Sequence, residues 1–174
     1  MPLPLILLGA GLAALYARDK YTDSAIRNSV EVSSYPGEDD LSVLPQDGAI
    51  VSCGIFGMFD HTGIWLDGNI IELRGNGLIR AISAQRFLAN RSGKKIYILC
   101  DEFAQPLIAE SALDNATAQL YQYSKYHVIR NNCHRFVWRC VSGQPTAITS
   151  FYDLNQALYG YFSTSLKWLL CQIN

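Results

Sequence analysis

The middle third of the chain groups its apolar residues into short runs of the β type. Ala49-Ile-Val-Ser-Cys53 predicts one strand, and His61-Thr-Gly-Ile-Trp-Leu66 and Asn69-Ile-Ile-Glu-Leu73 predict two more. The last two flank Asp67-Gly68, a dipeptide that accepts the backbone angles of a tight turn, so they read as a β-hairpin. Leu78 to Ile82 predicts a further short strand, and Lys95-Ile-Tyr-Ile-Leu-Cys100 a buried one on its aliphatic and aromatic content. Beyond this the period lengthens. Leu107, Ile108, Ala112, Leu113, Ala116, Leu120 and Tyr121 recur mostly at three and four, which predicts an amphipathic helix between Pro106 and Lys125 with Pro106 in its first turn. Asn131 or Asn132 can cap a second helix that runs through Phe136, Val137 and Cys140 and stops at Gly143. Asp153 to Cys171 reads as a last helical region, loosened near Gly160.

Two segments stand outside this pattern. Residues 32 to 48 are rich in turn formers and acids and read as a surface connection. Pro2 to Ala17 carries no charge, is shorter than a spanning helix of about 20 residues, and lacks the basic start of a secretory signal. Gly9 with Ala13 and Ala10 with Ala14 offer small-residue faces for helix packing in lipid. Arg18, Lys20 and Arg27 follow, which by the positive-inside rule leaves the remainder on the cytoplasmic side. The expected layout is an apolar helix at 1–20 that anchors the protein to a membrane, a connection at 21–48, and a folded domain at 49–174.

Composition narrows the function classes. With 49% hydrophobic and 17% charged residues in 174, the chain can close one core and little more. A net charge of -1 with dispersed Lys and Arg makes nucleic acid a poor partner. Cys53, Cys100, Cys133, Cys140 and Cys171 have no Cys-x-x-Cys spacing, so no disulfide framework, structural metal or cofactor is expected. Four of them read as small buried hydrophobes.

Cys133 is different because it stands where a helix begins. Unpaired amides and the positive end of the helix dipole there stabilise a thiolate, and the same amides can donate to an oxyanion. A thiolate needs a base and the base an orienting group. With a two-residue turn at Asp67-Gly68, Leu66 pairs with Asn69 and Gly63 with Glu72. That puts Glu72 diagonal to His61 on one face, with Gly63 leaving room between them. His134 points about 100° away from Cys133 on a helix and is the poorer base. His127 is the reserve.

His61-Thr-Gly-Ile-Trp-Leu66, Asn69-Ile-Ile-Glu-Leu73 and Asn132-Cys133-His-Arg-Phe136-Val137, in this order, resemble the lecithin:retinol acyltransferase family and its bacterial relatives, the permuted NlpC-type papain-like hydrolases. The resemblance covers roughly residues 46 to 143. It implies an α+β fold of circularly permuted papain-like type, in which an antiparallel sheet carrying the base packs on the nucleophile helix. It implies chemistry through a thioester, with Cys133 as nucleophile, His61 as base and Glu72 as orienter. Vertebrate-type members carry a second His where Glu72 stands, and the family's usual Asn-Cys-Glu-His-Phe is Asn132-Cys133-His134-Arg135-Phe136 here. These departures set the chain apart from retinoid and phospholipid acyl transfer. The expected substrate is an acyl lipid met at the membrane; a peptide or isopeptide bond is the alternative, and a non-catalytic binding module the third.

Overall fold

The structure is a computed structural model that describes residues 32–55 and 59–173. The expected apolar helix at 1–20 and the first part of the connection at 21–48, up to Glu31, lie outside these residues. Asp67 and Gly68 have φ of 42° and 73°, the two left-handed residues that a two-residue hairpin turn requires. The turn joins β4 (Phe59–Leu66) to β5 (Asn69–Leu73) with Leu66 opposite Asn69, Trp65 opposite Ile70 and Ile64 opposite Ile71. The next pair in that register, Gly63 with Glu72, is not part of the ladder. A Cβ on Gly63 would lie 2.5 Å from an Ile70 methyl and 2.8 Å from the Ile71 carbonyl oxygen, so only glycine lets β5 cross this close.

The hairpin belongs to a sheet that also contains β1 (Val32–Ser34), β2 (Ser42–Val43), β3 (Ile50–Ile55), β6 (Ile79–Ser83), β7 (Tyr97–Cys100) and β8 (Leu166–Cys171). The strand order is β1-β8-β7-β3-β4-β5-β6, with β2 also beside β8. β1 and β2 run parallel to β8, and the other pairs are antiparallel. The fold is therefore α+β with a mostly antiparallel sheet. Residues 32–48 depart from the expected surface connection: Val32 and Ser34 are buried, and β1 and β2 pair with β8 at the sheet's edge.

Helices α1 (Ala84–Leu88), α2 (Ala112–Thr117), α3 (Cys133–Ser142) and α4 (Phe151–Phe162) complete the described elements. Strand alternation sorts the core into two parts. Ile50, Ile64, Ile71, Leu166 and Trp168 pack against Phe136, Val137, Leu154 and Leu158 of α3 and α4. Val51, Cys53, Trp65, Ile70, Ile98 and Leu169 gather on the other face with Phe87 of α1.

Three further expectations need correction. The helix from Pro106 to Lys125 is only the six residues of α2. Pro106 instead bridges Cys100, and Tyr121 turns left-handed with φ 63°. The helical region from Asp153 to Cys171 is a helix and then a strand. Gly160 stays within α4, whose end is Ser163 at φ 55°, and Leu166–Cys171 crosses the sheet buried on both faces. A strand buried on both faces loses its polar alternation, so its apolar run resembles a buried helix. The third is α1, which the expected pattern lacks; Ser83 caps it through the Arg86 amide.

Candidate active site

α3 begins at Cys133 because Asn132 caps it. The Asn132 Oδ1 accepts from the Arg135 amide at 3.0 Å, and Gly143, at φ 67°, ends the helix. As the first two residues of the helix, Cys133 and His134 have amides with no carbonyl one turn earlier to bind, so their donors are available at the helix start. The second Asn132 group ties this start to its surroundings. Its Nδ2 donates to the Val128 carbonyl at 2.9 Å and to the Thr149 carbonyl at 2.8 Å.

α3 packs against β4, which brings Cys133 to His61. Both are buried, at 3% and 5% exposure, and hydrogen-bonded to one another. His61 Nε2 donates to Glu72 Oε2 at 2.7 Å, which leaves Nδ1 as the nitrogen facing the thiol. The structure thus brings together Cys133, His61 and Glu72. His127 stays apart: it is exposed, and its Nδ1 accepts from the Ile129 and Arg130 amides at 3.2 Å.

The electrostatics follow from these contacts. Burial alone would raise the Cys133 thiol, but the His61 charge, the His61 hydrogen bond and donors from Thr62 outweigh it, and the thiol is lowered. His61 moves the opposite way. Burial and Arg91 oppose its protonation, yet Cys133 and Glu72 raise it above its ordinary value. The two shifts favour a thiolate beside an imidazolium. The other cysteines lack such a partner. Burial pushes Cys53, Cys100 and Cys140 up to about 12 and Cys171 to about 11.

Four residues around the trio were not anticipated in these roles. Glu72 is fully buried and satisfied on both oxygens. Oε1 accepts from Arg80 Nε and Nη2 at 2.9 and 2.7 Å, and Oε2 accepts from Arg91 Nη2 at 2.8 Å besides His61. Burial opposes its ionisation, but the bonds to His61 and Arg91 hold it down at about 2. Arg91 also donates to the Phe87 carbonyl and lies 4.7 Å above the Phe87 ring, which itself sits 5.2 Å from the His61 ring. Arg80 faces Glu72 directly across β5 and β6, a pairing that could be read once the register after Asn76-Gly77 is known. Arg91 comes from the segment after α1 and has no local signal.

Thr62, the neighbour of His61, points to the opposite face. Its amide and hydroxyl help to lower the Cys133 thiol, and its Oγ1 lies 3.2 Å from His134 Nδ1. A hydroxyl has one proton. If Thr62 gives it to the thiolate, then Oγ1 must accept from His134, which requires a proton on His134 Nδ1. Burial and the neighbouring His61 charge push His134 down to about 3, so near neutral pH it is uncharged and the bond to Thr62 calls for its Nδ1–H tautomer. His134 thus supports Thr62 and is not the imidazole bonded to Glu72. Of the aromatic residues near the site, Trp65 is core, while burial, and after it the nearby Cys133 charge, raises the Tyr126 phenol. Phe56 lies outside the described residues.

Neither a protein-family model nor a curated protein matches the chain.

Proposed function

We propose that this chain is a cysteine hydrolase or acyltransferase that acts through a thioester on an acyl ester or amide, with a lipid-type acyl group preferred. The observation that carries the reading is His61, bonded on one nitrogen to Glu72 and on its other side to a thiol lowered below its ordinary range. The base-bearing hairpin precedes the nucleophile helix, the order of the permuted papain-like group that the motifs resemble. Uncharged Pro2 to Ala17 and the cations after it support membrane association with the domain on the cytoplasmic side.

The chemistry then runs in two halves. Cys133 Sγ attacks the carbonyl carbon, a C–S bond forms, and the displaced electron pair becomes an oxyanion for the amides at the start of α3. The oxyanion collapses, the bond to the leaving alkoxide or amine breaks, and that group takes the proton from His61 Nδ1. Water or an acceptor hydroxyl or amine then gives a proton back to His61 and attacks the thioester, releasing Cys133. Glu72 keeps the imidazole in the required tautomer throughout.

Incubation of the purified protein with long-chain acyl esters, acyl amides and acylated peptides, with acid quench and peptide mass mapping, tests this. The expected result is a hydroxylamine-labile acyl adduct on Cys133, with turnover lowered roughly a thousandfold or more in Cys133→Ala. Turnover that survives in Cys133→Ala, or the absence of any adduct across the three substrate types, would contradict it.

A further inference from the structure

Directly before the nucleophile, residues 121–131 make a folded excursion with an apolar tip. Asn131 closes it, donating from Nδ2 to Ser124 Oγ at 2.8 Å and to the Lys125 carbonyl at 2.9 Å, while His127 and Asn131 exchange backbone bonds at 3.0 and 2.8 Å. His127 Nδ1 pins the Ile129 and Arg130 amides inside the turn. The excursion holds Val128 and Ile129 outward at 47% and 42% exposure, with Tyr121 and Tyr123 at 77% and 75%. Four large apolar side chains held outward by a bonded loop are not an accident of a loose segment, and an exposed patch of this kind marks a contact surface.

The two sequence stretches that meet at it carry charge of one sign. No acid occurs between residues 115 and 152, where Lys125, Arg130, Arg135 and Arg139 lie. None occurs between 73 and 100 either, where Arg74, Arg86, Lys94 and Lys95 lie beside Arg80 and Arg91, the two already paired with Glu72. The fold joins these two stretches at the excursion: Leu78 bridges Tyr123, and the Ser124 amide donates to the Gly77 carbonyl at 2.8 Å. Arg74, Lys125 and Arg130 are all exposed there. An apolar tip ringed by cations matches a bilayer with anionic headgroups, which accepts the tip into its acyl boundary and the cations at its surface. The chain's own uncharged Pro2 to Ala17 would leave the cations unmatched, and a nucleic acid would leave Val128 and Ile129 unmatched.

We propose that residues 121–131 dock on an anionic lipid surface and so set the substrate entrance of the site at the membrane. This rests on the acyl-lipid reading for its purpose, though not for its geometry: the Val128 carbonyl is bonded to Asn132, the residue that caps the nucleophile helix. A bilayer touching the tip therefore lies next to the start of α3.

Hydrogen exchange of the full chain, read by mass spectrometry over residues 121–131, tests it with vesicles of phosphatidylcholine alone, with added phosphatidylserine, and with heparin in place of vesicles. Protection of 121–131 by phosphatidylserine vesicles is expected. It should be lost in Val128→Ser/Ile129→Ser and weakened roughly twenty-five-fold in Lys125→Gln/Arg130→Gln, about fivefold per cation. Unchanged exchange of 121–131 on vesicles that bind the chain would overturn the proposal, as would equal protection by heparin or protection that survives loss of the apolar pair. Alkylation of Cys133 without vesicles reports the thiol's reactivity separately, so failure here leaves the catalytic reading standing and the reverse also holds.

Discussion

Thr62 is the residue whose loss should speak most clearly, because it lies against the Cys133 sulfur without belonging to the trio of Cys133, His61 and Glu72. A hydrogen bond to a charged group contributes about 1.5 to 3 kcal/mol, which corresponds to one or two pH units. Thr62→Val should raise the pH midpoint of Cys133 alkylation by about one unit or more, and Thr62→Ser should restore it. A midpoint that does not move would remove Thr62 and His134 from the account of the thiolate. Glu72 tests the other side of His61. Glu72→Ala leaves Arg80 and Arg91 without their buried carboxylate and should cost about 3 kcal/mol or more in urea unfolding, since half of a broken buried pair remains uncompensated. Cys133, His61 and Glu72 were legible in the sequence because each is defined by a local feature, a helix start or a tight turn. Arg91 was not, because its partner lies 19 residues away and meets it only through the sheet and α1. Thr62 was invisible for a different reason: strand alternation places it on the face away from His61, and only the packing of α3 brings the sulfur to both.

At the scale of elements, α3 depends on one side chain at its start. Asn132→Ala removes the cap on Arg135 and the ties to Val128 and Thr149, and should cost about 2 to 3 kcal/mol by urea unfolding. Asn132→Asp keeps only the acceptor and should recover part of this. The elements that could be read from the sequence are those with a terminal signal: the Asp67-Gly68 turn, and α3 between Asn132 and Gly143. Those that could not are elements whose pattern is set by distant packing. Leu166–Cys171 carries apolar residues to both faces, so nothing in its spacing opposes a helix. Between Pro106 and Lys125 the period was real, but Leu99 and Cys100 draw residues 106 and 107 into backbone pairing instead. Only six residues remain helical.

For the whole molecule the buried ionisable groups predict how stability changes with pH. His134 is pushed down to about 3 from its ordinary value of 6.5, so below 6.5 the unfolded chain binds a proton that the folded chain refuses. Its contribution is complete above 6.5 and is lost as pH falls, by up to about 1.4 kcal/mol per pH unit. Glu72, held at about 2 against an ordinary 4.5, adds a second loss between these values. His61, raised, acts in the opposite sense and gives up its contribution as pH rises through its folded value. Urea midpoints measured from pH 7 to pH 4 should therefore fall well before the carboxylates titrate, and a flat profile down to pH 5 would contradict the placement of His134. The central claim is that Cys133 and His61 form one ion-paired unit. The most direct measurement is the rate of iodoacetamide modification of Cys133 against pH in the intact protein and in His61→Ala, with the labelled site read by mass spectrometry. Reaction well below about 8.5, the range of a free thiol, with that advantage lost in His61→Ala, is the predicted result. A Cys133 that reacts no faster than Cys140 at any pH, or one indifferent to His61, would contradict it.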